Sequence, residues 1–202
     1  MIIRWIVVDG IDGSGKNTIA RMIGDHYCER GERVFMVAHP SDGRFGKISR
    51  IALQGTGRAM EVTATIFYVF DVLSSVSRLR RLEGKYQTVI FVRYLMGTAY
   101  LPETLAPKAY DFFSKLLPVP RRLLLVDIDP GVAMERISGR DKRWEMFENL
   151  ESLVKVRGNV LKLASDEWDV VENSGDLEAT YSSVMEVIDR WDLEEDCATG
   201  PS

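Results

Sequence analysis

Two kinds of hydrophobic run alternate along the chain. Short, unbroken apolar runs that are rich in β-branched residues are typical of strands buried on both faces of a parallel sheet. They lie at 2–8, 33–38, 88–92, 123–128 and 169–171. Longer stretches, in which apolar residues recur at every third or fourth position, are typical of amphipathic helices. They span 16–30, 60–82, 145–164 and 177–191, and Pro130 opens a further one.

The alternation of strands and helices predicts the fold class. It favours an α/β protein whose five parallel strands form one doubly wound sheet, with right-handed crossovers through the helices. Ligands of such sheets bind at the carboxyl ends of the strands. The segments that follow the first four strands would converge at that edge and hold the candidate functional residues. They are 9–18, 39–47 (beginning with a loop at 39–46), 92–100 and 127–143.

Length and composition favour a single domain over residues 1–192. The chain has 202 residues, of which 46% are hydrophobic and 28% are charged, and its net charge of −4 gives no basis for binding a nucleic-acid polymer. The apolar run at the N-terminus is too short for a signal peptide or a membrane span. Two cysteines make no disulfide framework, so we expect a cytoplasmic protein without a membrane partner. The polar residues 193–202 predict a disordered tail.

A glycine-rich loop lies between the first strand and the first helix. It matches the pattern G-x-x-x-x-G-K through Gly10, Gly15 and Lys16. Main-chain N–H groups of such a loop turn inward around a phosphate, and the lysine reaches the outer phosphates. An incidental turn is the alternative, but the flanking strand and helix favour a site for the phosphates of ATP. That site would comprise Gly10, Ile11, Asp12, Gly13, Ser14, Gly15, Lys16, Asn17 and Thr18.

Asn17 stands where phosphate loops usually carry the serine or threonine whose hydroxyl binds Mg²⁺. An amide oxygen also binds hard cations, although Mg²⁺ demands strict geometry. Thr18 either compensates as a metal ligand or only caps the helix. We therefore expect phosphate binding at this loop, with both residues as candidate ligands of a magnesium ion.

The chain resembles the thymidylate kinase family of P-loop nucleoside monophosphate kinases over nearly its whole length. The matching segments are DGIDGSGKNT at 9–18, LLLVDIDPGVAMERI at 123–137, GRDKRWEMFENLESLVKVRGNVLKLA at 139–164 and DVVENSGDLEATYSSV at 169–184. The resemblance implies a P-loop NTPase fold of the nucleoside monophosphate kinase type, with a short lid at about 138–146. It also implies Mg²⁺-dependent phosphoryl transfer from ATP to a nucleoside monophosphate, with dTMP as the first candidate and dTDP as its product.

The resemblance assigns roles on the side of the acceptor nucleotide. Asp12 matches a carboxylate that meets the sugar 3′-hydroxyl, which a carboxylate oxygen accepts. Arg93 matches the arginine that clamps the acceptor phosphate, and Arg44 is a second candidate for that clamp. Tyr100 matches a tyrosine near the acceptor sugar. The alternative for each residue is an ordinary position in a loop or on the solvated surface.

The resemblance also implies how the acceptor base is bound. Tyr68 lies where the family places an aromatic ring under the thymine, although aromatic residues of an apolar helix are more often core residues. Four residues further on, Val72 replaces an arginine that hydrogen-bonds the thymine edge in the family. Valine donates no hydrogen bond, so the acceptor is either dTMP read by other residues or a different monophosphate. Asp71 is a candidate acceptor for a base amino group, as on cytosine.

Two further features concern the reacting phosphates. The family carries its transition-state arginine either in the phosphate loop or in the lid, and the loop position here is Gly13. The lid type is therefore implied, with Arg140 and Arg143 as the catalytic candidates. The aspartate that usually ends the third strand is Val92.

Loss of that aspartate leaves Asp9 and Asp127 as carboxylates that hold Mg²⁺ through water. Asp127 has a structural position at the end of a strand as its alternative role. The departures also motivate a third hypothesis, a nucleotide-binding protein with little kinase activity. A signalling GTPase is disfavoured because no Asn-Lys-x-Asp motif occurs. The family resemblance suggests a homodimer through the apolar helices near 60–82 and 145–165, a pattern that core burial would also produce.

Overall fold

The computed structural model describes residues 4–55, 57–82, 84–139, 149–164 and 167–199. Five strands form one sheet in the order β2-β3-β1-β4-β5, and every neighbouring pair is parallel. The doubly wound, five-stranded α/β fold is therefore confirmed. The strands are β1 (Arg4–Asp9), β2 (Val34–Ala38), β3 (Thr88–Val92), β4 (Arg122–Asp127) and β5 (Asp169–Glu172).

Seven α-helices lie in the described residues, together with one turn of 3₁₀ helix at Met96–Tyr100. Two of them, α2 and α4, are missing from the sequence-based prediction, because each is short and its apolar positions are largely exposed rather than part of a long buried stripe. The helices are α1 (Lys16–Glu29), α2 (Arg44–Leu53), α3 (Arg58–Leu82), α4 (Ala106–Leu116), α5 (Pro130–Ser138), α6 (Leu150–Ala164) and α7 (Leu177–Thr199).

The sheet separates two hydrophobic cores, one on each face. Successive strand residues alternate between them, so that Val7 and Phe91 lie in one core while Ile6 and Ile90 lie in the other. Helices α1 and α7 cover the second core, helices α3, α4, α5 and α6 cover the first, and α2 packs on α3. The helical residues buried against the sheet include Ile19, Ile23, Val184 and Ile188 on one face and Val72, Ala133, Leu153 and Val156 on the other.

Helix α7 continues past the end that the sequence predicts. It runs to Thr199, so residues 193–199 are helical where the sequence predicts the start of a disordered tail. The reason is an arginine far away in the sequence. Arg122, at the start of β4, donates to Asp192 at 3.2 Å and to Glu195 at 2.5 Å. These acidic residues look solvated in the sequence, but the fold pairs them with a buried guanidinium.

Candidate active site

The phosphate loop connects β1 to α1 and packs against α5 at Gly13. Gly13 has a φ of 80°, and a Cβ at this residue would lie 2.6 Å from the carbonyl oxygen of Ala133 in α5. Neither the conformation nor the space admits a side chain. The loop position where some thymidylate kinase-like chains carry an arginine is therefore closed to one here.

A second contact of the loop comes from the segment after β5. Asn173 donates from its amide nitrogen to the Ser14 carbonyl at 2.8 Å, and a Cβ on Gly15 would lie 2.4 Å from that nitrogen. The hydroxyl of Thr180 donates to Asn173 Oδ1 at 3.1 Å. Sequence reasoning missed Asn173 because nothing local marks it. Its role follows only from the position of β5 beside β4.

Lys16 lies over the loop from which it comes. The residue is 3% exposed, and its Nζ donates to Ile11 O at 2.8 Å while lying 3.8 Å from Asp12 Oδ1. A buried ammonium this close to the loop amides gives the concave side of the loop a positive charge. That is the electrostatic requirement of a phosphate site.

Asp12 brings together the predicted residues of the acceptor side. Its carboxylate is buried and accepts a hydrogen bond from the guanidinium of Arg93 through Oδ1. It accepts another from the Tyr100 hydroxyl at 2.8 Å through Oδ2. Because Lys16 is also within 4 Å, one carboxylate joins the phosphate loop to the segment after β3. Residues that are more than 80 positions apart in the sequence thus meet at the carboxyl edge of the sheet.

A cavity opens beside this cluster. Asp12, Arg93, Tyr68 and Tyr100 all line it, so four of the predicted acceptor residues share one space next to the phosphate loop. Helix α2 closes another side with Ser49 and Leu53, which the sequence did not single out. The hydroxyl of Ser49 donates to Ala64 O at 2.9 Å and so joins α2 to α3.

Tyr68 stands between this cavity and an apolar one. Its ring passes so close to Gly97 that a Cβ there would lie 2.9 Å from the ring carbon Cε1. The buried hydroxyl has no hydrogen-bond partner among the described residues, and burial raises the pKa of Tyr68 well above its ordinary value. Behind the ring lies a cavity of about 140 Å³, lined by Val72, Tyr94, Thr98 and Phe113 among others. Val72 is thus a core residue, 2% exposed, at the wall of an apolar space.

Two predicted acceptor residues, Asp71 and Arg44, line neither the cavity beside Asp12 nor the apolar one behind Tyr68. Asp71 accepts hydrogen bonds at 2.6 Å from both the backbone N–H and the hydroxyl of Ser41, one on each carboxylate oxygen. It therefore fixes the loop after β2, and both of its oxygens have partners other than a base amino group. Arg44 begins α2 and is exposed in a separate cleft beside Asp71 and Arg78. In this structure it is not placed with Arg93.

The two carboxylates predicted to hold Mg²⁺ through water carry structural hydrogen bonds. Asp9 accepts from the backbone N–H groups of Gly10, Tyr94 and Met96 at 2.8 to 3.0 Å. Asp127 receives two hydrogen bonds, at 2.8 and 2.9 Å, from Arg157 of α6, a residue that sequence reasoning missed. The hydrogen bond with Asp127 raises the pKa of Arg157.

The candidate lid arginines, Arg140 and Arg143, lie outside the described residues, as does most of the predicted lid. Arg136 precedes the lid on α5 and is described. A Cβ on Gly15 would lie 3.8 Å from Arg136 Nη1, so this guanidinium reaches the rim of the phosphate loop. It adds a positive charge at this rim.

A glycine-rich phosphate loop on a doubly wound parallel sheet, with an arginine and a cavity beside it, is the arrangement of a P-loop nucleoside monophosphate kinase. The family model described as thymidylate kinase matches residues 8–184. The chain belongs to the thymidylate kinase family, which phosphorylates dTMP with ATP.

Individual relatives agree with the family assignment. The chain is 32% identical over 187 residues to a probable thymidylate kinase of Archaeoglobus fulgidus, covering 91% of this chain and 94% of the relative. It is 31% identical over 196 residues to a probable thymidylate kinase of Thermoplasma acidophilum, covering 91% and 95%. The solved structure of thymidylate kinase from Candida albicans matches its fold with a TM-score of 0.68 at 19% identity, covering 97% and 92%.

Proposed function

We propose that this chain transfers the γ-phosphoryl group of ATP directly to dTMP at the carboxyl edge of its sheet, with ADP and dTDP as products. One observation carries the proposal: the buried carboxylate of Asp12 joins the phosphate loop to Arg93 and Tyr100 at a common cavity. Two anionic nucleotides repel each other, so a site that brings them end to end must supply positive charge on both sides of the reacting phosphate.

The phosphate loop is the donor side of this site. Main-chain N–H groups of residues 10–18 and the N-terminus of α1 surround the phosphates of ATP, and Lys16 exchanges its contact with Ile11 O for a phosphate oxygen. Arg136 approaches the same loop from α5. Charge neutralisation and alignment do most of the work in phosphoryl transfer, so no covalent intermediate with the protein is required.

The cavity is the acceptor side. Arg93 holds the phosphate of dTMP through its guanidinium fork, and Asp12 accepts a hydrogen bond from the sugar hydroxyl beside Tyr100. The ring of Tyr68 supports the base by stacking, which is worth about 1–3 kcal/mol per base in nucleic-acid sites. Val72 leaves the base edge without a guanidinium donor, and the polar residues that line the apolar cavity beside Val72 include Thr65, Tyr68 and Thr98.

The closing arginine comes from the lid. Arg140 and Arg143 are the candidates, and the closed space at Gly13 supports a lid position because the loop has no room for the side chain. A guanidinium that arrives on closure neutralises charge only when both substrates are bound. This couples transfer to occupancy of both nucleotide sites.

The residues of the loop fit a magnesium ion that accompanies ATP. Asn17 and Thr18 are exposed at the start of α1 and offer hard oxygen donors, the type that Mg²⁺ prefers. Asp9 and Asp127 fit less well as partners through water, since backbone N–H groups and Arg157 already occupy their oxygens. When bound, the ion would supply positive charge to the phosphates of ATP.

We also propose that the enzyme works in the cytoplasm as a homodimer. Helix α3 exposes Val62, Ile66 and Phe70, four residues apart along one face, and α6 exposes Leu150 and Val154. The segment Val62–Leu79 is long and apolar enough to cross a membrane, but one such helix among the described residues is weak evidence for a membrane span. A second copy of the chain covers this face in our proposal.

The activity is tested by a coupled assay of ADP release with a panel of nucleoside monophosphates and ATP. We expect turnover with dTMP, and higher kcat/KM for dTMP than for dUMP, dCMP, dGMP or dAMP. Binding of ATP without turnover on any acceptor would overturn the kinase assignment. Sedimentation of the same preparation tests the dimer, which a monomer at micromolar concentration would contradict.

A further inference from the structure

Arg93, the proposed clamp of the acceptor phosphate, has an unusual backbone conformation. Its φ angle is 60°, the single positive value for a non-glycine residue in the part of the chain that the structure describes. Such a conformation is unfavourable for a residue with a Cβ and persists where the surroundings hold it in place. The Arg93 N–H donates to Val8 O at 3.1 Å, which anchors one side of the residue to β1.

His39 anchors the other side. It follows β2, and its own backbone N–H donates to Val92 O at 2.9 Å. Its ring atom Nδ1 lies 3.0 Å from the carbonyl oxygen of Arg93. A carbonyl oxygen only accepts hydrogen bonds, so Nδ1 carries the proton of the neutral ring and donates it. His39 thus binds two successive carbonyls, immediately before and at the strained residue.

The second ring nitrogen of His39 is fixed as well. Nε2 lies 2.9 Å from the hydroxyl oxygen of Ser75 in α3, and this hydroxyl is the donor because Nδ1 holds the ring proton. The ring is 2% exposed and meets Phe91 edge-on, with 5.4 Å between the ring centres. Both hydrogen bonds and the packing define one orientation and one tautomer. Ser75 lies on α3, the helix that also carries Tyr68, so His39 connects this helix to Arg93.

We propose that His39 is a positioning residue for the acceptor phosphate. Its neutral imidazole, oriented by Ser75, holds the Arg93 carbonyl and thereby keeps the guanidinium aimed at the cavity beside Asp12. This inference rests on the proposed role of Arg93 in binding the acceptor. His39 acts through Arg93, since the described residues that line the cavity include its neighbour Pro40 but not His39.

Two substitutions of His39 distinguish the hydrogen bond of Nδ1 from that of Nε2. In His39→Asn the amide nitrogen takes the place of Nδ1 and still donates to Arg93 O. In His39→Gln the amide reaches the position of Nε2 and the donor to Arg93 is lost. We expect His39→Gln to raise the KM for dTMP about tenfold with an unchanged KM for ATP, and His39→Asn to stay within about threefold of the wild type.

Several results would overturn the inference. One is an unchanged KM for dTMP in His39→Gln, and another is an equal loss in both variants, which would indicate packing alone. A parallel rise in the KM for ATP would indicate general damage to the site. In an Arg93→Ala background, His39→Gln should add no further loss, because the two residues act as one unit. Full additivity would contradict that.

The wild-type protein gives a measurement that does not require a substitution of His39. The chain has two histidines, so the ring nitrogens of His39 are readily assigned in ¹⁵N NMR spectra by comparison with His26→Asn. We expect the tautomer protonated at Nδ1, and the tautomer protonated at Nε2 would overturn the inference. A wild-type enzyme without activity on dTMP would instead reject the proposed function, so the two failures are distinguishable.

Discussion

Charged side chains gather at both ends of the central sheet, and the two clusters differ in the partners of their charged groups. At the amino end, Arg4, Arg30 and Arg122 pair with acidic residues that include Glu32, Asp192 and Glu195, and Asp192 also accepts from the Tyr27 hydroxyl. At the carboxyl end, Asp12 meets both Lys16 and Arg93. The carboxylate of Asp9 accepts hydrogen bonds from three backbone N–H groups.

This difference indicates which of the two clusters binds a ligand. The pairs at the amino end satisfy one another and join β1, β4, α1 and α7, so they stabilise the fold. At the carboxyl end, one carboxylate, Asp12, meets two cations, Lys16 and Arg93, beside the N–H groups of the glycine loop. Inward-facing N–H groups and a lysine at the start of a helix attract anions. Substitutions at the two ends should therefore change different properties.

The largest expected effect is the loss of activity in Lys16→Ala. Removal of the ammonium from the phosphate loop should lower kcat/KM by about 10²–10³-fold, with the unfolding temperature nearly unchanged. Steady-state kinetics and thermal denaturation check this. Lys115→Ala is the matched control, since Lys115 is an exposed lysine that pairs with Asp111 within α4. Equal rates for Lys16→Ala and the wild type would remove the loop from the mechanism.

Arg93→Ala should act on the acceptor alone. We expect the kcat/KM for dTMP to fall about 100-fold while the KM for ATP stays within about twofold, because one guanidinium–phosphate contact is lost. Titration of each nucleotide at saturation of the other separates the two effects. Arg33→Ala, an exposed arginine at the amino end of β2, serves as the control. A loss shared equally by both nucleotides would argue against a clamp on the acceptor.

Asp192→Ala should show the reverse behaviour. Two arginines and a tyrosine lose a partner that is largely buried, so the free energy of unfolding should drop by about 2 kcal/mol. The kcat/KM of the folded enzyme should not change. Urea denaturation measures the first quantity, with Asp189→Ala as a control that loses only a 3.9 Å contact. Lost activity without lost stability would contradict the division between the two ends.

Tyr68 tests how much of acceptor binding is stacking. Tyr68→Ala should raise the KM for dTMP about tenfold, whereas Tyr68→Phe keeps the ring and should change it less than about threefold. Tyr68→Phe should not destabilise the free protein, because the buried hydroxyl has no partner among the described residues. An equal rise of KM in both variants would show that the hydroxyl, and not the ring face, contacts the acceptor.

The smallest effect is a dependence of stability on pH. Burial lowers the pKa of His39 despite Asp71 and Asp9 nearby, so the unfolded chain binds this proton more readily than the folded one. Stability should therefore be full above the ordinary pKa of 6.5 and fall as the pH drops below it. Urea denaturation at pH 7.5 and 5.5 should show a smaller drop in His39→Asn than in the wild type. An identical drop would exclude His39 as the source.

Much of the fold and of the site could be predicted from the sequence, because the signals are local. Apolar runs gave the five strands, and the glycine pattern gave the phosphate loop. The resemblance singled out Arg93 and Tyr100, and the structure brings both of them to Asp12. Asn173, Arg157 and His39 could not be identified as partners, since their contacts depend on which strands are neighbours.

The hypothesis for Asp71 meets the same limit. A carboxylate in the right part of a helix looks available to a ligand, but in the structure both of its oxygens accept hydrogen bonds from Ser41. Likewise, nothing local in the sequence indicates that Glu195, near the end of the chain, pairs with Arg122 at the start of β4. Periodicity and spacing do not indicate which residues form hydrogen bonds or ion pairs with partners far away in the sequence.

The most direct test of the central claim is a crystal structure of the protein with dTMP and a non-hydrolysable analogue of ATP. The phosphate of dTMP should contact the guanidinium of Arg93 in the cavity beside Asp12, and the phosphates of the ATP analogue should lie on residues 10–18. If the two nucleotides bound apart, or if Arg93 pointed away from the bound dTMP, the claim that this edge of the sheet joins two anionic substrates would be contradicted.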